Sequence, residues 1–343
     1  MQVALYRKYR PGNFQEVIGQ EHIVSVLENE AKTGKVSHAY LFSGSRGVGK
    51  TSIARIFSKT LGVSPDDIYE IDGASNRRIE DVRAIREAVH TLPYHSKYKV
   101  YIIDEVHMLT TEAFNALLKT LEEPPPHVIF ILATTEAHKL PDTVVSRCEH
   151  FIFRKPSHKS VMESVQNVAK EEGCSLGKAS ASLIATLAEG SFRDALSTLQ
   201  KIIHSSSDNK LSEDEVEKVL GAPKHGLVMG VIDGVANTDT EKALSSVRQA
   251  SESNADMQIF LKMILRDLRF VLLLRFAKDM KEMVASETGE EEFEKLFELS
   301  KTAKGINSKT LINFLEAESR QKYASILELP IEIAIMKSCE VQV

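Results

Sequence analysis

Short apolar runs alternate with helical patterns in the first part of the chain. The runs are Ala39–Ser43, Ile68–Asp72, Val100–Asp104, Val128–Thr134 and Phe151–Phe153. Each is mostly apolar on both faces, which is typical of strands buried in a parallel sheet. The helical patterns between them include Thr51–Leu61, Ile79–His90 and Thr111–Glu122. This alternation predicts an α/β domain with a doubly wound parallel sheet over residues 1–155.

After Pro156 the strand signals stop, and the pattern predicts helices only. Two capping boxes indicate helix starts, namely Ser191 with Asp194 and Ser212 with Glu215. Glycine and proline interrupt the pattern near residue 223. We therefore expect a small helical domain over residues 156–222 and a second helical domain over residues 223–343.

One helix of the last domain has a clear apolar stripe. The apolar positions follow three- and four-residue spacings and are Ile259, Phe260, Met263, Ile264, Leu268, Val271 and Leu272. Lys262, Arg266 and Arg269 fall on the other side. The pattern predicts an amphipathic helix with these cations away from the core.

The amino-acid composition excludes several classes of protein. The chain has 343 residues, 43% hydrophobic and 27% charged, which is ordinary for a globular protein. No apolar run approaches the roughly 18 residues of a membrane span, so we expect no membrane association and no signal peptide. Three dispersed cysteines favour a reducing cytoplasm. The net charge of −5 means that any nucleic-acid contact needs a local basic patch.

A phosphate-binding loop follows the first predicted strand. Residues 44–51 fit G-x-x-x-x-G-K-[ST] and lie between a strand and a helix, which is the expected context. Glycines allow the backbone N–H groups to surround a phosphate. Lys50 is expected to contact the β- and γ-phosphates of ATP, and the Thr51 hydroxyl to bind Mg²⁺. The alternative, a glycine-rich turn with a chance lysine, does not explain the flanking elements.

Two carboxylates complete this predicted site. Asp104 and Glu105 follow an apolar strand, and ligands bind at the carboxyl edge of such sheets. We expect Asp104 to hold Mg²⁺ and Glu105 to act as general base toward the attacking water. The alternative is that both merely begin a loop. His107 and Met108 are interpreted as packing or loop residues.

These motifs resemble one known family. The chain is similar to the AAA+ clamp-loader ATPases and, within them, to the gamma/tau subunits of bacterial DNA polymerase III. The segments that carry the resemblance are Ala4–Pro11, Val17–His22, Asp104–Leu109, Phe114–Pro124, Leu132–Thr135, Ser146–Cys148 and Gly190–Leu196. The similarity is dense over residues 1–200. It implies a RecA-like ATPase domain, a helical lid and a helical oligomerisation collar.

The resemblance implies further roles at the ATP site. Thr134, or else Thr135, would be the sensor that hydrogen-bonds the γ-phosphate or the water. Arg193 would be a second sensor in the lid, with an ion pair to Asp194 or Glu189 as the alternative. Arg147 would be an arginine finger supplied to a neighbouring subunit's ATP, because a guanidinium matches phosphate oxygens. The alternative for Arg147 is a surface ion pair.

The same resemblance indicates how the nucleotide would be held. Adenine would pack against the N-terminal segment, with a simple structural brace as the alternative. The residues expected to bind the nucleotide are Tyr6, Arg10, Pro11, Val17, Ile18, Gly44, Ser45, Arg46, Gly47, Val48, Gly49, Lys50, Thr51, Ser52 and Arg193.

Contact with DNA is a separate expectation. Arg77 and Arg78 precede a predicted helix, so two cations and free N–H groups face one anion. By resemblance these residues, with Thr143, would follow a DNA phosphate backbone. A solvated pair of surface arginines is an equally good interpretation.

Two features depart from the family pattern. Many gamma/tau subunits carry a four-cysteine zinc module between the phosphate loop and the Asp-Glu strand, but no cysteine lies between Thr51 and Asp104. We therefore expect no structural zinc. The proline-rich tail of longer members is also not represented in this sequence.

Together these observations predict an Mg²⁺-dependent ATPase that opens a sliding clamp and loads it onto primed DNA. The expected partners are delta, delta-prime and further gamma/tau subunits, in the cytoplasm. The first alternative is a AAA+ DNA helicase such as a branch-migration motor. The second is a clamp-loader subunit of the delta-prime type that does not hydrolyse ATP.

Overall fold

A five-stranded parallel sheet is the centre of the first part of the chain. The computed structural model describes residues 3–206 and 208–340. The strands are β1 Ala39–Ser43, β2 Ile68–Asp72, β3 Lys99–Asp104, β4 Val128–Thr134 and β5 Glu149–Ile152. Their order in the sheet is β2-β3-β4-β1-β5. The predicted α/β class is confirmed, although β3 begins one residue before the predicted start and β5 starts two residues before the predicted Phe151–Phe153.

Helices connect these strands and make up most of the regular structure in the rest of the described chain. Up to residue 187 they are α1 Leu5–Lys8, α2 Glu21–Thr33, α3 Lys50–Thr60, α4 Ile79–Ala88, α5 Thr111–Glu122, α6 Asp142–Val145, α7 His158–Glu171 and α8 Lys178–Leu187. Those that follow are α9 Phe192–Ser205, α10 Glu213–Leu220, α11 His225–Ala236, α12 Thr240–Glu252, α13 Met257–Phe276, α14 Lys281–Glu287, α15 Glu290–Thr302, α16 Ser308–Gln321 and α17 Leu329–Cys339. No helix in these described parts is long and apolar enough to cross a membrane.

The expectation of helices alone after Pro156 was wrong at one point. Two short strands, β6 Ser175–Leu176 and β7 Lys210–Leu211, pair in parallel. Each has only two residues, so neither can show a strand period in the sequence.

The chain divides into two compact units. The first extends to Val161 and includes Ala188–Ser197, and the second contains Met162–Leu187 and the chain from Thr198 onward. In the first unit, apolar clusters cover both faces of the sheet. Tyr40 and Phe42 belong to one cluster, whereas Leu41 belongs to the other. This two-sided burial explains why the strands are apolar at successive positions.

Strand order determines which loops meet. β4 lies between β1 and β3, and Ser43 at the end of β1 is in register with Thr134 at the end of β4. On the other side of β4, Ile103 is in register with Leu132. The segments that follow β1, β3 and β4 therefore emerge side by side at the carboxyl edge of the sheet.

The second unit is mainly helical, and α13 has the predicted apolar stripe. Phe260, Ile264 and Leu268 are buried. The prediction that Arg266 lies away from the core was wrong, because its side chain is only 11% exposed. Its guanidinium binds the fully buried Asp267 at 2.8 Å and also Glu292 of α15. Ion pairing therefore places this arginine inside, which helical periodicity alone does not predict.

His225, the first residue of α11, joins this buried ion cluster. Its Nε2 lies 3.3 Å from Asp267 Oδ2 and 3.3 Å from Glu292 Oε1. Burial of the imidazole lowers its pKa, but hydrogen bonds and the charges of these two carboxylates act more strongly and raise the pKa to about 9. The cluster connects α11, α13 and α15 through charged groups.

We expect His225→Gln to reduce the pH dependence of unfolding. Because the folded pKa of His225 exceeds its ordinary value of 6.5, the contribution to stability is complete below pH 6.5 and is lost as pH rises through about 9. After allowance for the 33% exposure of the imidazole, the difference is about 1–2 kcal/mol.

Denaturant unfolding of the wild type, His225→Gln and the exposed control His204→Gln between about pH 6 and pH 10 measures this difference. The wild type and the control are expected to lose stability in parallel, and His225→Gln to lose less. Identical pH profiles for the wild type and His225→Gln would contradict the assigned role.

Candidate functional site: a phosphate loop and its carboxylates

The loop after β1 has a backbone that requires glycine. Gly44, Gly47 and Gly49 have φ values of 149°, 75° and 103°. A Cβ on Gly44 would lie 2.7 Å from the Phe153 carbonyl oxygen, and one on Gly47 would lie 2.0 Å from Ser191 Oγ. The glycines thus permit both the positive φ torsions and the close approach of neighbouring segments.

Lys50 begins α3 and lies inside the loop. Its side chain is largely buried, at 6% exposed, and Nζ donates to the carbonyl oxygens of Gly44 at 2.8 Å and Ser45 at 2.9 Å. Burial lowers the pKa of Lys50, while the charges of Glu105 and Asp104 oppose that effect. The loop lysine and both predicted carboxylates therefore share one electrostatic environment.

The predicted magnesium ligands are in direct contact. Thr51 Oγ1 donates to Asp104 Oδ2 at 2.7 Å. A hydroxyl and a carboxylate are the hard oxygen ligands that Mg²⁺ prefers, so this pair fits the ion. Ser45 Oγ, also in the loop, is buried without a hydrogen-bond partner among the described residues. The loop therefore contains an unused polar atom as well as suitable metal ligands.

Glu105 has an unusual backbone. Its φ is 47° and its ψ is 44°, a left-handed conformation that costs about 1–3 kcal/mol for a residue with a Cβ. Thr135 Oγ1 donates to Glu105 Oε2 at 3.0 Å. The neighbouring Thr134 is fully buried at the end of β4. Both threonines that the resemblance gave as candidates for the sensor therefore lie beside the predicted base.

The contacts of His107 were not predicted from the sequence. Its ring contacts Glu105, Thr134 and Glu136, all within 3.4 Å. The expected packing or loop role does not describe these polar contacts. The only available signal was a histidine two positions after the predicted base, and that signal does not indicate where the ring lies.

The N-terminal segment reaches the loop helix. Arg10 Nε donates to Ser52 Oγ at 2.9 Å, in the first turn of α3. Burial, followed by the nearby charge of Arg55, lowers the pKa of Arg10. The Arg193 guanidinium lies 5.2 Å from the centre of the Tyr6 ring, in cation–π geometry. The structure thus brings Tyr6, Arg10 and Arg193 to the region of the loop.

The other predicted nucleotide contacts differ in exposure. Ile18 is 45% exposed, whereas Val17 packs against the core of the first unit. Within the loop, Val48 belongs to that core and Arg46 is exposed. Pro11 is partly buried. The predicted adenine contacts of Pro11, Val17 and Ile18 stay predictions.

Arg147 has partners within its own chain. Its Nη2 lies 2.7 Å from Glu122 Oε1, and Nη1 donates to the Thr143 carbonyl oxygen at 2.8 Å. These partners belong to α5 and α6 and not to the phosphate loop. The contacts match the surface ion pair that was the alternative for this residue, so a role toward a neighbouring subunit stays a prediction.

The predicted DNA contacts lie at the start of α4 and in α6. Arg77 and Arg78 are both exposed. The Arg78 backbone N–H donates to Asp81 Oδ2 at 3.1 Å, so one helix N-terminal donor is already used by an acidic side chain. Thr143 is exposed in the first turn of α6. Contact of these three residues with DNA stays a prediction.

The cysteines form no cluster that would bind zinc. Cys148, Cys174 and Cys339 are free thiols. Among the described residues, the one group of three candidate metal ligands is His225, Asp267 and Glu292, and Arg266 already binds both of its carboxylates. The expected absence of zinc stays a prediction.

Solved structures share this architecture. The Thermotoga maritima RuvB Holliday junction branch migration motor matches with a TM-score of 0.53 and 23% identity, over 66% of this chain and 79% of that chain. A mutant form of the same RuvB matches over 84% of this chain and 90% of that chain, with a TM-score of 0.52 and 20% identity. At these identities the likeness concerns fold alone. The parallel sheet and the glycine loop define an α/β P-loop fold.

Sequence comparisons specify the family. A model described as "DNA polymerase III, delta subunit" matches residues 19–77 and 62–157, and one described as "DNA polymerase III subunits gamma and tau domain III" matches residues 211–339. The DNA polymerase III subunit gamma of Buchnera aphidicola subsp. Schizaphis graminum is 35% identical over 86% of each chain. This chain belongs to the DNA polymerase III gamma/tau family.

The chain covers only part of other relatives. The DNA polymerase III subunit tau of Bacillus subtilis is 35% identical over 98% of this chain, which spans 63% of that protein. The subunit tau of Escherichia coli is 37% identical over 80% of this chain and 46% of that protein.

We expect Lys50→Ala to reduce ATP affinity by about 100-fold or more, because the charge-assisted bonds from Nζ to phosphate oxygens are lost. Equilibrium titration with a fluorescent ATP analogue in the presence of Mg²⁺ measures the effect. Lys59→Ala, an exposed lysine of the same helix, is the matched control and is expected to bind as the wild type does. Unchanged affinity in Lys50→Ala would refute the site.

Proposed function

We propose that this chain is an ATPase subunit of the DNA polymerase III clamp loader, which uses ATP to open a sliding clamp and load it onto primed DNA. The observation that carries the proposal is the 2.7 Å contact between Thr51 and Asp104 beside the buried Lys50. This arrangement occurs in a chain of the gamma/tau family, so the ATP site and the replication role support each other.

Different residues of the site carry out different steps of ATP binding and hydrolysis. Backbone N–H groups of the loop and the start of α3 bind the phosphates, and Lys50 exchanges its carbonyl partners for phosphate oxygens. Thr51 and Asp104 would hold Mg²⁺, and the bound ion would neutralise charge on the phosphate oxygens. Glu105 accepts a proton from the attacking water, and Thr134 hydrogen-bonds the γ-phosphate or that water.

Two arginines act in addition to these groups. Arg193, at the start of α9, contacts the phosphates of bound ATP. To do so, its guanidinium moves from its cation–π contact with the Tyr6 ring. Arg147 acts on the ATP of a neighbouring subunit, because a guanidinium stabilises the charge that develops during phosphoryl transfer. To do so, Arg147 must break its ion pair with Glu122. Surface ion pairs of this kind contribute little to stability.

The nucleotide and DNA contacts of the proposal extend beyond the phosphate loop. The N-terminal residues Tyr6 and Arg10 pack around the adenosine part of ATP, since Arg10 already bonds to Ser52 of α3. Arg77 and Arg78, with Thr143, contact the phosphate backbone of the primed DNA. A chain with a net charge of −5 needs a local basic patch to bind nucleic acid, and these surface arginines provide it.

The partners and organisation follow the same proposal. The partners are delta, delta-prime and further gamma/tau subunits, together with the sliding clamp, in the cytoplasm. Residues 1–155 form the ATPase domain, 156–222 the lid and 223–343 the collar through which subunits assemble. Free cysteine thiols are consistent with a reducing compartment.

The two alternatives have less support. A helicase role would rest on the RuvB-like fold, and one fold can serve many functions. A subunit that does not hydrolyse ATP has no need of Lys50, Thr51, Asp104 and Glu105 together. Each alternative is a distinct outcome of the experiment below.

The decisive experiment measures ATP hydrolysis by the assembled loader containing this chain, with and without clamp and primed DNA. We expect hydrolysis to rise when both are present, and a labelled clamp to remain on circular primed DNA only when ATP is supplied. Unwinding of duplex DNA by the pure chain would support the helicase alternative. No hydrolysis under any of these conditions would support the non-hydrolysing subunit.

We expect Arg147→Ala to leave ATP binding by the isolated chain within about twofold of the wild type and to lower kcat of the assembled loader by about 100-fold or more. Glu122→Ala is the matched control, because it breaks the same intramolecular ion pair but keeps the guanidinium. The control is expected to hydrolyse ATP as the wild type does. Equal losses in the two variants would show that Arg147 acts only through its contact with Glu122.

A further inference from the structure

The imidazole of His107 lies between polar groups that follow two neighbouring strands. Its Nδ1 is 2.9 Å from Thr134 Oγ1 and 3.4 Å from Glu105 Oε2. Its Nε2 is 3.2 Å from Glu136 Oε2. The side chain is 7% exposed, so these polar groups and not solvent surround the ring. One side chain therefore touches both the proposed general base and the proposed sensor.

The backbone places this ring by a short turn after β3. Val106–Met108 forms a 3₁₀ helix directly after the left-handed Glu105. The turn is closed by the Met108 N–H, which donates to the Glu105 carbonyl oxygen at 2.9 Å, and Val106 is fully buried. A Cβ on Gly73 would lie 2.8 Å from that same carbonyl oxygen. The main chain around Glu105 is thus fixed, and its carboxylate depends on side-chain partners for orientation.

The hydrogen bonds of the Thr134 hydroxyl indicate what the His107 ring contributes to the site. A hydroxyl has one donor and two acceptor positions. The Glu136 backbone N–H already donates to Thr134 Oγ1 at 3.0 Å. In the form of the ring that carries a proton on Nδ1, this nitrogen donates to the second acceptor position. The hydroxyl proton then points elsewhere and can be donated to a phosphate oxygen. Without the ring, that hydroxyl has no second donor to set its direction.

We propose that His107 is a positioning residue for ATP hydrolysis, which holds the Glu105 carboxylate and the Thr134 hydroxyl in a fixed mutual arrangement through Nδ1. The contact of Nε2 with Glu136 orients the ring. The inference rests on the proposed function, since it assigns His107 to the same reaction. It goes beyond that proposal by adding a link between the base and the sensor.

Two amide substitutions of His107 distinguish the roles of its two ring nitrogens. The side-chain NH₂ of asparagine comes close to the place of Nδ1, and that of glutamine close to the place of Nε2. His107→Asn therefore keeps a donor toward Thr134 and Glu105, whereas His107→Gln keeps only the contact with Glu136. A merely structural histidine would not distinguish these variants by their catalytic rate.

The experiment measures kcat and KM for ATP in the assembled loader with clamp and primed DNA, and ATP affinity of each chain by titration. We expect His107→Gln to lower kcat by about 30-fold or more, because misplacement of reacting groups has effects of this size. KM and affinity are expected to stay within about twofold. His107→Asn is expected to retain kcat within about threefold of the wild type.

The matched control is His127→Asn. The His127 Nε2 contacts the carbonyl oxygens of Val89 and Thr91, and asparagine cannot reach these groups. This variant is expected to lose stability but to keep the wild-type kcat. Wild-type kcat in His107→Gln, or equal losses of kcat in both His107 variants, would overturn this inference and leave the proposed function standing. A wild-type loader that binds ATP but does not hydrolyse it would overturn the proposed function and this inference with it.

Discussion

The hydrogen bond from the Thr51 hydroxyl to the Asp104 carboxylate depends on the register of the sheet. Thr51 follows the loop after β1, and Asp104 ends β3, two strands that β4 separates. Because side chains alternate between the faces of a sheet, a shift of β3 by one residue would turn Asp104 away from Thr51. The apolar strands, which are buried on both faces, fix this register, so the packing of the core determines the geometry of the site.

The same edge of the sheet also brings together the groups that we propose to act on water. Glu105 and His107 follow β3, while Thr134 and Thr135 end β4 or follow it directly. The His107 ring contacts Thr134 and Glu105, and the Thr135 hydroxyl donates to Glu105. The strained backbone at Glu105 lies next to these contacts, and strain of this kind is common where function needs a particular side-chain direction.

The sequence predicted the local elements of this site well, because each has a strong local signature. The glycine loop is recognisable between a strand and a helix, and an apolar strand that ends in two acids indicates the carboxyl edge. It did not predict the contacts of His107, because a histidine in a loop has no periodicity that reveals its partners. Arg266 was misplaced for a related reason: helical spacing assigns a cation to the polar side, whereas the buried Asp267 holds it inside. The two-residue strands of the second unit were too short for any pattern to indicate.

The central claim is that Lys50, Thr51 and Asp104 form one site for the phosphates of ATP. A crystal structure of the chain with Mg²⁺ and a non-hydrolysable ATP analogue tests it most directly. The account predicts that the phosphates lie within the loop of residues 44–51, that Lys50 Nζ has left the Gly44 and Ser45 carbonyl oxygens for phosphate oxygens, and that the Thr51 hydroxyl binds the metal. Nucleotide bound elsewhere, with Lys50 still on those carbonyl oxygens, would contradict it.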